Sequence, residues 1–323
     1  MSGPFKVVAL SGGVGGAKLV DGLARVLPSD DLLVVANTGD DFDHLGLRVC
    51  PDVDTIVYTL SDLADQDRGW GRRDETWHFL ESLEALGGET WFQLGDRDLA
   101  MHVERTRLLG NGESLTAVTK RFAHRLGIGC EIVPMTNDDV RTIVETPEGI
   151  LSFQEYFVRE RCQARVRNLS FHGADSAEPN ELFLTALRDP VLDLVVICPS
   201  NPYLSVDPIL SLSGVPEALA GTAAPVIAVS PIIAGEAVKG PTAKIMRELG
   251  KTPSPLTIAG HYSRFIDGFV LDERDADLAA RLEGDFHIPV LVCDTLMTSL
   301  EKRKALAEHV LTFSRSVVSN GKA

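Results

Sequence analysis

The sequence predicts an α/β protein in which a mainly parallel sheet is sandwiched between helices. Short apolar runs recur along the chain, and each ends in turn-forming residues, which is typical of buried parallel strands. The first two runs, at residues 6–10 and 32–36, flank a segment with helical periodicity that opens with a glycine-rich turn. Strand, glycine turn, helix and strand in this order make a right-handed βαβ unit, so the predicted scaffold is Rossmann-like.

The alternation continues along the rest of the chain. Residues 129–158 contain the strand-like runs CEIVPM, RTIVET and ILSFQEYFV, and the segment SLEKRKALAEHVLTF predicts a last helix. Four further apolar runs predict later strands, at residues 192–198, 226–230, 269–271 and 289–293. Open α/β sheets bind ligands beyond the carboxyl ends of their strands, so functional groups are expected in the loops that follow these runs.

A mostly helical insertion is predicted at residues 55–125. This stretch has little β-branched alternation, and Trp77, Leu80, Leu83 and Leu86 are spaced for one face of a helix. The predicted division is therefore a Rossmann-like core, made of residues 1–54 and 126–323, and this insertion. No linker-like composition separates the two, so we expect one compact core.

Composition excludes some classes of partner. The 323 residues carry a formal net charge of -15, and an acidic surface repels nucleic acid, so any phosphate must be held by local groups. No apolar stretch reaches membrane-spanning length, and the N-terminus lacks the apolar segment of a signal peptide. The five cysteines are dispersed without a CxxC pair. We therefore expect a cytoplasmic protein with reduced thiols and no membrane partner.

The glycine-rich turn SGGVGGAKL, at residues 11–19, is the first candidate site. Glycines between a strand and a helix let the backbone approach a phosphate and direct helix N–H groups at it. The turn is not a Walker A loop, and Lys18 stands where the last glycine of a dinucleotide fingerprint would fall. The alternative is a tight turn without a ligand. The candidate phosphate contacts are Gly12, Gly13, Gly15 and Lys18.

The acidic segment at residues 37–55 is the second candidate site. It follows a predicted strand end, and its carboxylates repel one another unless a cation lies between them. Mg²⁺ usually takes one or two carboxylates together with phosphate oxygens of the substrate, so a magnesium site is expected here. The alternative is a solvated loop in which Asp54 caps the next helix. The acidic residues are Asp40, Asp41, Asp43, Asp52 and Asp54.

Two further groups of polar residues are candidates for ligand binding. The segments DRGWGRRDETW and FQLGDRDLAMH supply planar cations and an indole, although surface ion pairing is the alternative. Their candidate residues are Arg68, Trp70, Arg72, Arg73 and Arg97. The loops after two later strands supply hydrogen-bonding groups, although turn chemistry explains the same residues. Their candidates are Ser200, Asn201, Ser230 and Lys239.

Several of these strings, in this order, resemble the 2-phospho-L-lactate transferase family of deazaflavin coenzyme F-420 biosynthesis. The strings are SGGVGGAKLVDGL, NTGDDFDHLGLRVCPDVDTIVYTL, DRGWGRRDETW, FQLGDRDLAMH, SFQEYFV, PSNPYLSVDPIL and VSPIIAGEAVKGP, and they run through almost the whole chain. The resemblance implies a phospho-acid donor activated as a guanosine diphosphate derivative and a deazaflavin alcohol, Fo, as acceptor. It further implies GMP as product, a requirement for Mg²⁺ and a homodimer.

The resemblance also implies roles for individual residues. The expected ligands of Mg²⁺ are Asp40, Asp41 and Asp54, and Asp40 and Asp54 are also the expected catalytic residues. Asp54 also matches a position near the Fo hydroxyl, and Arg97 and Trp70 lie in the insertion expected to cover Fo. The guanosine diphosphate moiety is expected to lie against Gly12, Gly13, Gly15, Lys18, Asn37, Ser200, Asn201 and Ser230.

Two other functions fit parts of the pattern. An NAD-type oxidoreductase uses the same scaffold, but the incomplete glycine fingerprint and the crowded acidic segment disfavour it. A related family with cell-shape and carbon-metabolism roles keeps a similar glycine turn, so a nucleotide-binding regulatory protein is the second alternative. Nothing in the sequence distinguishes phospholactate, phosphoenolpyruvate and a phosphoglycerate as the transferred acid.

Overall fold

The computed structural model describes residues 5–321, and side chains are described to residue 317. The strands are β1 Val7–Ser11, β2 Leu32–Ala36, β3 Phe42–His44, β4 Leu47–Val49, β5 Glu131–Pro134, β6 Arg141–Thr146, β7 Gly149–Ser152, β8 Asn168–His172, β9 Leu194–Ile197, β10 Val226–Val229, β11 Ile232–Ile233, β12 Glu236–Ala237, β13 Gly268–Asp272 and β14 Val290–Cys293.

Helices surround these strands. The α-helices are α1 Gly13–Val26, α2 Pro51–Leu60, α3 His78–Ala85, α4 Asp96–Gly110, α5 Leu115–Arg125, α6 Glu181–Arg188, α7 Asp207–Leu210, α8 Val215–Gly221, α9 Thr242–Glu248, α10 Pro255–Tyr262, α11 Ala279–Phe286 and α12 Leu300–Gly321. Short 3-10 helices lie at Ser29–Asp31 and Glu273–Leu278, and π-helices at Glu155–Arg159 and Pro202–Val206.

A seven-stranded sheet with the order β14-β13-β10-β9-β1-β2-β5 forms the centre, and all its neighbouring strands are parallel. Val7 of β1 pairs with Leu32 of β2 on one side and with Leu194 of β9 on the other. The chain therefore reverses its direction of progress across the sheet between β1 and β9, which is the switch point where such sheets bind ligands. The predicted Rossmann-like α/β class is confirmed.

Both faces of the sheet are buried, which is why its strands are continuous apolar runs. Val7 and Ala9 of β1 pack with α1, α2 and α12 on one face, whereas Val8 and Leu10 pack on the opposite face. The contact between α1 and α12 is close. A Cβ atom added at Gly22 of α1 would lie 2.2 Å from the carbonyl oxygen of Arg303, so the small residue is needed there.

Residues 55–125 contain α3, α4, α5 and most of α2, so the segment is mostly helical. The predicted division between residues 54 and 55 falls inside α2, which begins at Pro51. Asp54 therefore lies in the first turn of α2 rather than at a cap before the helix. The face predicted from Trp77 to Leu86 belongs to α3, which spans His78–Ala85.

The strand-like runs after residue 129 divide between two sheets. CEIVPM supplies β5 of the central sheet, whereas RTIVET supplies β6 of a three-stranded antiparallel sheet with the order β7-β6-β8. The prediction of a strand through ILSFQEYFV is wrong beyond Ser152, because the π-helix Glu155–Arg159 follows. Buried Phe153, Gln154 and Tyr156 face inward there, and this pattern is not the alternation of a strand.

No helix between residues 5 and 321 is long and apolar enough to cross a membrane. All five cysteines are free, and four of them are buried.

Candidate active site

A cavity of about 820 Å³ opens at the carboxyl edge of the central sheet. The loops after β1, β9, β10 and β14 and the start of α2 line it. Residues 68–71, residues 91–93 and the π-helix Glu155–Arg159 also contribute to its wall. The cavity thus joins the strand ends of the core to the insertion, and its volume is in the range of small-molecule sites.

The glycine turn folds tightly against two neighbouring segments. The Gly12 N–H donates to Ser200 Oγ at 3.1 Å, and the Gly13 N–H donates to Asp52 Oδ1 at 2.7 Å. A Cβ atom at Gly15 would lie 2.5 Å from the carbonyl oxygen of Pro199. Gly12, Gly13, Gly15 and Lys18 all line the cavity. The first two N–H groups already have partners, so later N–H groups of the first turn and Lys18 remain for an anion.

Asp52 joins the glycine turn to β2. Its Oδ1 accepts from Gly13, and its Oδ2 accepts from Asn37 Nδ2 at 2.9 Å. The Asn37 Nδ2 also donates to the Leu204 carbonyl at 3.2 Å, and its Oδ1 accepts from the Gly39 N–H at 2.8 Å. Asn37, a predicted nucleotide contact, is buried beneath the wall rather than part of it. Its hydrogen bonds hold the side chain of Asp52 and the loop after β9 in position.

Asp40 is the buried carboxylate in the wall that lacks a full set of partners. Its Oδ1 has no hydrogen-bond partner among residues 5–321. Burial and then the negative charge of Asp52 raise the pKa of Asp40 well above its ordinary value, although a hydrogen bond with Asn37 acts in the opposite direction. A cation beside this carboxylate would offset both effects, so Asp40 and its neighbour Asp52 suit a hard divalent ion.

The three predicted magnesium ligands are not brought together. Asp40 and Asp54 line the cavity, but Asp41 does not. Asp41 is buried beside Cys50, and burial raises its pKa to about 7. Within the described residues 5–321, no cluster of three or more Asp, Glu, His or Cys side chains is arranged to hold a metal. Mg²⁺ takes few protein ligands when phosphate oxygens complete its shell, so Asp40 with Asp52 remains a chemically suitable pair.

Asp54 is occupied by a buried arginine that the sequence reasoning missed. Arg105 of α4 donates from Nη2 to Asp54 Oδ1 and from Nη1 to Asp54 Oδ2, the latter at 3.1 Å. Both side chains are almost completely buried, with 1% and 6% of their surface exposed. A bidentate pair of this kind holds the carboxylate in one orientation.

The pair continues into a chain of side chains along α4. Arg105 Nη1 lies 3.2 Å from His102 Nδ1, and His102 Nε2 lies 3.3 Å from Asp98 Oδ2. Tyr58 donates its hydroxyl to Asp98 Oδ1 at 2.5 Å. Burial raises the pKa of Asp98, but the interactions with His102 and Tyr58 outweigh it, and the pKa is lowered. Asp54, Tyr58 and Asp98 line the cavity, so these contacts connect α4 to its wall.

Of the two insertion residues predicted to contact the acceptor, one lines the cavity and the other does not. Trp70 lines the cavity and is 48% exposed, whereas Arg97 lies outside the cavity wall with its Nη1 3.9 Å from Asp74 Oδ2. Of the other arginines in these motifs, Arg68 lines the cavity, and its guanidinium lies 4.9 Å from the Trp77 ring centroid. Arg72 and Arg73 do not line it.

An aromatic wall forms one side of the cavity and was not singled out from the sequence. Phe153 and Phe157 are stacked with ring centroids 5.3 Å apart, and Trp91 and Phe92 lie edge to face at 5.8 Å. All four side chains line the cavity. Phe153 and Phe157 are four residues apart in SFQEYFV, and this spacing was the signal that a helical turn would place them together.

The predicted polar contacts on the core side line the cavity but have structural partners. Ser200 Oγ also donates to the Gly12 carbonyl at 2.8 Å, and Asn201 Oδ1 accepts from the N–H groups of Tyr203 and Leu204 at the start of a π-helix. Ser230 Oγ donates to the Ile232 carbonyl at 2.9 Å. Ser200, Asn201 and Ser230 therefore shape the loops, and ligand contacts would be additional to this role.

The sheet order, the glycine turn at the switch point and the cavity above it define a doubly wound α/β protein with a cavity of small-molecule size at its switch point. The family profile described as "2-phospho-L-lactate transferase CofD" matches residues 7–307, and the chain belongs to this family of transferases.

Similar proteins come from bacteria and archaea. A phosphoenolpyruvate transferase of Streptomyces coelicolor is 37% identical over 97% of this chain and 99% of its own length. A 2-phospho-L-lactate transferase of Methanosarcina mazei is 40% identical over 94% of this chain and 99% of its own. The crystal structure of a UPF0052 family protein from Bacillus halodurans shares the fold, with a TM-score of 0.62 at 15% identity over 96% of this chain and 99% of its own.

Proposed function

We propose that this transferase moves a phospho-acid from a guanosine-diphosphate-activated donor to the deazaflavin alcohol Fo and releases GMP, as a step of coenzyme F-420 biosynthesis. The observation that carries the proposal is that two kinds of group line one cavity. The glycine turn, Lys18 and Asp40 suit a diphosphate and its metal. The aromatic wall and Trp70 suit a planar ring system.

The proposed reaction is a direct displacement at phosphorus. The terminal hydroxyl oxygen of Fo bonds to the phosphorus that carries the acid, and the bond from this phosphorus to the GMP oxygen breaks. GMP leaves with the electron pair, and the hydroxyl proton is released to solvent. Such reactions depend mainly on positioning and charge stabilisation. Asp54, held by Arg105, would accept a hydrogen bond from the hydroxyl and orient it.

We propose Asp40 and Asp52 as the protein ligands of Mg²⁺. The unpartnered Asp40 oxygen and the mutual repulsion of the two carboxylates support this choice. Bound Mg²⁺ would neutralise charge on the diphosphate and make its phosphorus more electrophilic. Asp41 and Asp54 are less suitable as ligands, because the first lies outside the cavity wall and the second is paired with Arg105.

The transferred acid stays open between three relatives: 2-phospholactate, phosphoenolpyruvate and 3-phosphoglycerate. Proteins named for the first two are similar to this chain at almost the same level of identity. We further propose a cytoplasmic homodimer on the strength of the family resemblance, and light scattering of the purified protein would test the dimer.

The test is incubation of the protein with Fo, Mg²⁺ and each of the three guanosine diphosphate derivatives, with products identified by mass spectrometry. We expect one donor to give a phosphodiester of Fo together with GMP, and chelation of the metal to stop the reaction. Absence of an Fo adduct with every donor would overturn the proposal. Binding of GDP without any transfer would instead favour the nucleotide-binding regulatory alternative.

A further inference from the structure

Two lysines in the cavity wall have no partner of opposite charge. Lys18 of α1 and Lys239 of the loop after β12 both line the cavity, and neither ammonium group makes an ion pair or a hydrogen bond with the side chains and backbone described for residues 5–317. The chain has 46 acidic and 31 basic residues, so carboxylates are plentiful. Unpaired ammonium groups in a ligand-sized cavity of an acidic protein indicate a place for an anion.

The charge of Lys239 acts on Lys18. Burial lowers the pKa of Lys18, and the positive charges of Arg303 and Lys239 lower it further. Both lysines line the same cavity, and an anion bound against both would convert this repulsion into attractive contacts.

Lys239 is seated against a glycine of the insertion. A Cβ atom added at Gly69 would lie 2.0 Å from Lys239 Nζ, so the ammonium group occupies the space that any side chain at residue 69 would need. The loop that presents Gly69 is held by its own hydrogen bonds, since the Gly69 N–H donates to the Asp65 carbonyl at 3.0 Å and Asp65 Oδ1 accepts from the Asp67 and Arg68 N–H groups.

A second glycine in the same loop, Gly71, provides a matched control for a substitution at Gly69. Gly69 and Gly71 both have left-handed backbone angles, with φ of +75° and +71°. Alanine would strain the backbone equally at either position. A Cβ atom at Gly71 meets nothing within 4 Å, whereas one at Gly69 meets Lys239. The two positions therefore differ in whether the substitution displaces Lys239.

We propose that Lys239 is a donor-binding residue that, together with Lys18, holds the diphosphate of the nucleotide donor, and that Gly69 leaves the space which positions Lys239. The inference rests on the proposed function for the nature of the donor. A guanosine diphosphate esterified at its terminal phosphate keeps one negative charge on each phosphate, which matches the two ammonium groups. Because Gly69 belongs to the insertion, the same contact links the donor site to the loop that carries Trp70.

The test is binding of GDP and of guanosine to the full chain, measured by calorimetry with and without Mg²⁺ and in the absence of Fo. Lys239→Met should weaken GDP binding about ten- to hundredfold, the range for a lost hydrogen bond to a charged group. Guanosine binding should stay unchanged, because it has no phosphate. Gly69→Ala should weaken GDP binding clearly more than Gly71→Ala, and thermal unfolding of each variant checks that it is folded.

Each result bears on the inference separately from the transfer reaction. Normal GDP binding by Lys239→Met, or failure of the wild-type protein to bind GDP, would overturn it. Equal effects of the two glycine substitutions would remove the role of Gly69. If Lys239→Met loses GDP binding but the wild-type protein forms no Fo adduct, the transfer proposal fails while Lys239 remains a diphosphate-binding residue.

Discussion

Arg105→Met is expected to destabilise the protein by several kcal/mol, because it leaves the carboxylate of Asp54 buried without its partner. The arginine and the carboxylate share two hydrogen bonds, and only 1% and 6% of their side chains are exposed. Each hydrogen bond to a charged group contributes about 1.5–3 kcal/mol, so the two together contribute about 3–6 kcal/mol. Loss of one partner from a buried ion pair costs about 3–5 kcal/mol, which agrees with that range.

Urea unfolding followed by circular dichroism measures this effect. Arg107→Met is the matched control on the same helix, because its partner Glu104, at 2.7 Å, and Arg107 itself are exposed, and its stability should be nearly that of the wild type. Asp54→Asn in the Arg105→Met background should restore part of the stability, since it removes the unpaired charge. A loss below about 1 kcal/mol for Arg105→Met would refute the assignment of a desolvated pair.

Three further substitutions and modifications test the site and its surroundings. Asp40→Asn should abolish transfer but raise the melting temperature at pH 8. The melting temperature should rise because burial and Asp52 raise the pKa of Asp40 and make its charged form unfavourable in the folded protein. A lower melting temperature would contradict this. Gly15→Ala should cost about 1–3 kcal/mol in urea unfolding through overlap with the Pro199 carbonyl, whereas Gly110→Ala meets no atom within 4 Å and should not; equal losses would rule out the overlap. Cys162 has its pKa raised by burial from 9.0 to about 11, so at pH 8 its alkylation should be about 100-fold slower in the native protein than in urea, and equal rates would show an unperturbed thiol.

The central sheet was predictable because each of its strands is buried on both faces. The run LLVVA at residues 32–36 is β2 without any shift at either end, since no polar residue interrupts it. The three-stranded sheet β7-β6-β8 and the π-helix that follows β7 were harder to predict from the sequence. Glu155–Arg159 includes an exposed Phe157 beside a buried Tyr156, and one short turn does not establish a helical or a strand period.

The predicted strand ends indicated where the site lies, but the sequence did not show which of two adjacent residues faces the cavity. Asp40 lines the cavity and Asp41 does not, and one step along α4 separates Asp98, which does, from Arg97, which does not. The partnership of Asp54 and Arg105 spans 51 residues, and only tertiary packing creates it. Its one local signal was the placement of Asp98, His102 and Arg105 at helical spacing on one face of α4.

The position of β1 at the centre of the sheet has a consequence for synthesis of the protein on the ribosome. β1 leaves the ribosome well before its neighbour β9, which begins 187 residues later, and α12, which packs on α1, follows β9. Until then the apolar face of α1 and one edge of β1 lack their native cover. A nascent chain halted between β5 and β9 should therefore expose this apolar surface and bind chaperones. Once α12 has left the ribosome, it can cover the apolar face of α1.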